Sequence, residues 1–163
     1  MIHEDRGTLV KGLLAGLAAA VAGGVVWGLI VKWSEYEVGF VAWGIGFLAG
    51  IAILTATGGR RGLPLQAIAI VSALVGILIG KYLSFVWALE DVIGAQFADE
   101  VDIPIFSWDT VDVFREDLDA VFGWIDLLWA GLAVVTAWRA LAPEQELATE
   151  PAAEATDRPP PAP

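Results

Sequence analysis

Cysteine is absent from the sequence, and histidine occurs once, at His3 in a polar N-terminal stretch. Disulfides, thiolate metal sites, haem attachment through sulfur and cysteine nucleophiles are therefore excluded. A lone histidine in a polar terminus reads as a solvated side chain, with no second imidazole to share a metal. Basic residues are scarce: nine Lys and Arg stand against twenty Asp and Glu, a formal net charge of −11. Phosphate backbones repel such a chain, so no nucleic-acid partner is expected. Also missing are Gly-x-Ser-x-Gly, His-Glu-x-x-His, a P-loop and a dinucleotide fingerprint. The glycine-rich, basic stretch Gly58-Gly59-Arg60-Arg61-Gly62 reads as a turn between two spans and not as a phosphate cradle. The expectation is a protein without enzymatic activity, cofactor or metal.

Apolar residues are what the chain has in excess. They make up 57% of it, with a mean hydropathy of +0.68, against roughly 45–50% in ordinary soluble domains. They fall in four blocks, residues 8–31, 38–57, 65–89 and 121–141. Each has about the twenty residues that carry a helix across 30 Å of hydrocarbon. Period-two alternation is absent, which removes a strand reading. The expected fold class is an all-α integral membrane protein, a four-transmembrane-helix bundle. Residues 1–7 form an N-terminal tail that opens net acidic, and the long apolar stretch after it reads as a retained first span and not a cleaved signal. Trp27, Trp33, Tyr36, Trp43, Trp87, Trp124, Trp129 and Trp138 gather toward span ends, where amphipathic rings prefer the interface.

Charge placement sets the orientation. Arg6 and Lys11 open the first span, Arg60 and Arg61 sit between the second and third, Arg139 closes the fourth, and Arg158 follows in the tail. Four crossings put all six on one side, which the positive-inside rule makes cytoplasmic. The protein is then expected in the plasma (inner) membrane with both termini cytoplasmic.

Small residues recur every fourth position: Gly12, Gly16, Ala20, Gly24 and Gly28 in the first span; Ala42, Gly46 and Gly50 in the second; Ser72, Gly76, Gly80 and Ser84 in the third. Each series makes a groove on one helix face, and in lipid such grooves permit close helix approach. Two are expected to pack within the bundle; the third is open to either a bundle contact or a partner. Lys81 and Asp126 fall at similar depth on consecutive spans, about 6 and 7 Å outward of the span centres at 1.5 Å per residue. They are the expected intramembrane ion pair, which would offset the cost of burying either charge.

Residues 90–120 are too polar to cross and form an external acidic segment. Within it, an amphipathic helix is expected at about 107–120, capped by Ser107 or Asp109. Val111, Phe114, Leu118, Val121 and Phe122 form its apolar stripe, with Asp109, Asp112, Glu116 and Asp119 on the other face. The carboxylates lack EF-hand spacing, so a solvated face is expected rather than a cation site. Residues 143–163, rich in Pro, Ala and Glu, read as a disordered cytoplasmic tail.

The stretch from Gly46 to Gly80, two glycine-faced spans around a Gly/Arg loop ending Gly80-Lys81-Tyr82-Leu83, resembles small bacterial multi-span membrane proteins that have no assigned function. The resemblance is confined to that stretch and implies no catalytic residues. The leading functional expectation is a non-catalytic structural or accessory subunit, whose partners are other membrane subunits or further copies of itself, with the bilayer around them. The alternative is a small oligomeric ion channel or transporter with Lys81 and Asp126 near its path. A third is a signalling adaptor acting through the tail.

Overall fold

The computed structural model describes residues 2–34, 39–97 and 103–143, with the side chains of residues 2–5, 97 and 120 set aside. The expected tail beyond residue 143, the start of the expected second span at residue 38 and the external positions 98–102 lie outside the described residues, as does the side chain of His3. Among the described residues the fold is all helical: α1 (Ile2–Ser34), α2 (Phe40–Ala56), α3 (Leu63–Phe97), α4 (Trp108–Glu116), α5 (Leu118–Val121) and α6 (Trp124–Ala140). Two segments, Arg6–Ser34 and Leu63–Gln96, are long and apolar enough to cross a membrane. α2 is equally apolar, but it and α6 have 17 residues each, a rise of about 25 Å.

Helix direction follows from which residues meet. Gly12, Gly16, Gly24 and Gly28 of α1 face Leu65, Ser72, Gly76 and Leu83 of α3, so these two helices run parallel. Gly23 faces Ile45 whereas Gly12 faces Ile53 and Thr57, so α2 runs antiparallel to α1. Gly46 and Gly50 lie on Ala133 and Ala140, which makes α6 parallel to α2. α2 and α3 touch each other, and each touches both α1 and α6. The result is an up-down-up-down bundle with α1 and α6 at opposite corners.

Small residues make that approach possible. A Cβ on Gly24 would stand 2.6 Å from the Gly76 carbonyl oxygen, and one on Gly76 would stand 3.0 Å from the Ala20 carbonyl oxygen. At these contacts backbone packs on backbone. Two apolar clusters hold the bundle: Ile53, Leu65, Ala69, Ala73, Ala137 and Leu141, and Trp27, Ala42, Ile45, Ile77 and Ala133. Many large apolar side chains instead point outward, among them Leu14, Val26, Phe47, Ile51, Val71, Leu74, Leu127 and Leu132.

The turn between α2 and α3 is built by glycine. Gly58 N–H donates to Thr55 and Gly59 N–H to Leu54 (3.2 and 2.8 Å), the two bonds of a Schellman closure. Gly58 and Gly59 take φ of 67° and 81°, the left-handed region that a side chain would strain. The same turn reaches the last turn of α6. Gly62 N–H donates to the Leu141 carbonyl (3.1 Å). Arg61 Nη1 donates to the carbonyls of Ala140 and Ala142 (2.8 and 3.3 Å), and Gln66 Nε2 to that of Trp138 (3.1 Å). Carbonyls that a helix end leaves without partners are thereby satisfied next to a cation that complements the helix dipole.

At the other end of the bundle, Ser107 caps α4: its Oγ accepts from Thr110 N–H at 3.1 Å. Phe114 is buried edge-on against Tyr82 and Phe85 of α3, at 5.1 and 5.5 Å between ring centroids. The Tyr82 hydroxyl donates to the Ile105 carbonyl. α4 therefore lies beside the Tyr82–Phe85 turn of α3, with Asp109, Asp112, Glu116 and Asp119 exposed. Where a continuous helix to residue 120 was expected, the chain turns at Asp117 and restarts as α5.

Candidate functional site

Along α3, Ile77, Lys81 and Ser84 are spaced four and three apart, which puts them on one face, and all three are buried. Opposite them the expected fourth span is interrupted. α5 ends at Val121, Phe122 and Gly123 take extended backbone, and α6 starts at Trp124. Asp126, in the first turn of α6, accepts from Gly123 N–H through Oδ2 at 2.8 Å. Its carboxylate thus satisfies an orphan donor and complements the positive end of the helix dipole.

Lys81 closes this break. Its Nζ lies 3.0 Å from Asp126 Oδ1 and donates to the Val121 carbonyl at 3.1 Å. One ammonium therefore ties the last turn of α5 to the first turn of α6. The Lys81 side chain is 1% exposed and that of Asp126 14%. The rings of Trp27 and Phe122 have their centroids 5.9 and 5.6 Å from Nζ, within cation–π range. An ammonium so enclosed costs several kcal/mol to bury alone, and the carboxylate, the carbonyl and the ring faces offset that cost. Chemically, the arrangement neutralises and tethers.

The buried polar side chains Thr57, Gln66, Ser72, Lys81, Ser84 and Thr110 do not form a file. From Ser72 to Lys81 is nine residues, about 13 Å, and the neighbours there are Ala20, Gly24, Ile45, Gly76 and Ile77. Trp27 Nε1, Gln66 Oε1 and Ser72 Oγ have no hydrogen-bond partner among the described residues.

Gly12, Gly16, Ala20, Gly24, Gly28, Ala42, Gly46, Gly50, Ser72, Gly76, Gly80 and Ser84 are all buried. The α1 series faces α3, the α3 series faces α1 with Ile45 of α2, and the α2 series receives α6. Among the described residues, each of the three grooves is occupied by a neighbouring helix of the same chain. Arg6, Lys11, Arg60, Arg61 and Arg139 collect at one end of the bundle, where Arg60 Nη1 donates to Thr8 Oγ1 at 3.1 Å. There, Lys11, Arg60, Thr8 and Thr55 line a polar cleft of about 550 Å³.

Sequence reasoning missed the helix break and the capping roles of Gln66 and Arg61. The break had a signal: glycine followed three residues later by aspartate, just ahead of an apolar run, is the spacing of a helix start. Gln66, a polar residue one turn into an apolar span, was a signal too. No protein-family model, curated protein or solved structure matches this chain.

Proposed function

We propose that the chain is a four-span membrane protein, with α2 and α6 crossing alongside α1 and α3, and that it works as a non-catalytic structural or accessory subunit of a larger membrane assembly. The observation that carries this reading is the inverted packing. Alanine, glycine and serine line the helix contacts, beside Trp27, Ile45, Ile53, Leu141 and a paired lysine, while many large apolar residues are exposed on all four long helices. In water that surface would be one apolar patch far beyond the few hundred Å² a soluble monomer tolerates. In lipid it is the expected exterior, and small residues inside are what let helices associate there. Fewer than half of the residues in each long apolar window are buried, 39% in α1 and 44% in α3, unlike the core helix of a soluble protein.

The gathering of Arg6, Lys11, Arg60, Arg61 and Arg139 at one end supports a plasma (inner) membrane orientation with that end, and both termini, cytoplasmic. A non-catalytic role is favoured because Lys81 is engaged on several sides. Ion conduction within one copy has less behind it, since an apolar stretch separates Ser72 from Lys81. With the grooves filled internally, a partner subunit would dock on the outward aliphatic face or on the exposed aromatics Phe106 and Trp108.

Native mass spectrometry of the protein extracted from its own membrane in mild detergent tests the reading. A defined complex with a different membrane protein is the expected result. A closed ring of identical copies would instead favour a channel, with flux through Lys81 and Asp126 variants as the next measurement.

A further inference from the structure

Where α4 lies across α1 and α3 it covers an apolar crevice of about 620 Å³. Val21 and Val25 of α1 and Leu78 of α3 form one wall, Val111 and Phe114 of α4 the other, and Arg115 is the charged residue at its margin. Val21, Val25 and Leu78 also belong to the outward aliphatic surface, so the crevice opens onto the face turned to lipid. Beside it is a second cavity of about 280 Å³, lined by Asp112, Arg115, Glu116 and Leu118. Arg115 is common to both. Its Nη1 lies 3.2 Å from Asp112 Oδ1, and the two side chains are 71% and 61% exposed.

An apolar slot and a small polar chamber that share a cation, with carboxylates beyond it, have the polarity sequence of a phospholipid whose headgroup ends in an amine. We propose that the two cavities are one site for an outer-leaflet aminophospholipid of the phosphatidylethanolamine type. One acyl chain fills the crevice, Arg115 takes the phosphate, and Asp112 and Glu116 accept hydrogen bonds from the ammonium. Arginine matches a phosphate in geometry and charge. The surrounding carboxylates Asp109, Asp112, Glu116 and Asp119 disfavour a lipid carrying net negative charge. A choline headgroup offers the carboxylates no N–H donor, whereas ethanolamine offers three. The crevice volume lies within the roughly 300–1,000 Å³ of ordinary ligand pockets.

The site rests on the reading that α1 and α3 cross a bilayer, and the test separates the two. The full chain, stripped of lipid in detergent, is titrated with phosphatidylethanolamine, phosphatidylglycerol and phosphatidylcholine of identical acyl chains, and adducts are counted by native mass spectrometry. In parallel it is reconstituted into phosphatidylcholine vesicles and washed with alkaline carbonate. One adduct of phosphatidylethanolamine is expected, at about tenfold higher affinity than either other lipid. Arg115→Gln should weaken it about fivefold, as for an exposed charge contact. Asp112→Asn with Glu116→Gln should erase the preference for ethanolamine over choline. All three positions are exposed, and helicity by circular dichroism checks that the variants fold. Equal binding of the three lipids, or an unchanged affinity in Arg115→Gln, overturns the site while resistance to the carbonate wash leaves the membrane reading standing. Loss of the protein from washed vesicles overturns both.

Discussion

At the scale of single residues, the two halves of the Lys81–Asp126 pair are not equivalent. Lys81 is enclosed, whereas Asp126 keeps 14% of its side chain exposed and holds the N–H of Gly123 as well. Asp126→Asn leaves an ammonium buried with weaker partners, a loss on the order of 3–5 kcal/mol for a broken buried pair. Lys81→Met leaves a carboxylate that still caps α6 and lies near the surface. It should cost less, about 1–3 kcal/mol, as for a lost hydrogen-bonded charge. Denaturation of both variants in mixed micelles measures the order; the reverse order would mean that the cation is better solvated than its burial implies. The approximate depth of both residues was legible in the sequence from helical rise. Their role at a helix break was not, because the two backbone groups that complete it, the Val121 carbonyl and the Gly123 N–H, leave no mark in side-chain chemistry.

At the scale of elements, the packing is read most directly at glycine. Gly24 and Gly131 are both helical, yet a Cβ on Gly24 would meet the Gly76 carbonyl at 2.6 Å while one on Gly131 would meet nothing within 4 Å. Gly24→Ala must push α1 away from α3 and should cost about 1–3 kcal/mol, the range for overpacking a closed contact. Gly131→Ala should stay within about 0.5 kcal/mol, as at an unconstrained surface position. Unfolding of the full chain by titration with a denaturing detergent compares them; equal costs would remove the close approach of α1 and α3 from the account. The four-residue spacing made the grooves legible, because one helical turn stacks small residues on one face. Which helix fills which groove was not legible. Spacing describes one surface, and the choice of partner depends on loop geometry, such as the Gly58–Gly59 turn that brings Arg61 to the end of α6.

At the scale of the whole molecule, helix length bears on how many helices cross. α1 and α3 have the length to do so, but α2 and α6 rise only about 25 Å against a hydrocarbon core of about 30 Å. A shortfall of a few ångströms is absorbed by local thinning of the bilayer or by flanking residues, at fractions of a kcal/mol per Å. The buried Leu141 and Ala142 extend the apolar length of α6 past its helical end, and Thr57 does so for α2 by returning its hydroxyl to Ile53 at 2.8 Å. The absence of cysteine makes the count measurable, since any introduced thiol is unique. Arg60→Cys, Asp109→Cys and Pro143→Cys each place one at an exposed position outside the long helices. In vesicles of one orientation, an impermeant maleimide should label residue 109 from one side only, and residues 60 and 143 only from the other. If residues 109 and 143 react from the same side, α6 does not cross, and the bundle then presents α6 to water or to a partner. If residues 60 and 109 share a side, α3 cannot be a simple span, which its length and composition make the harder result to accommodate. The alternating pattern is the outcome that four crossing helices predict, with the exposed apolar faces of α2 and α6 then in lipid alongside those of α1 and α3.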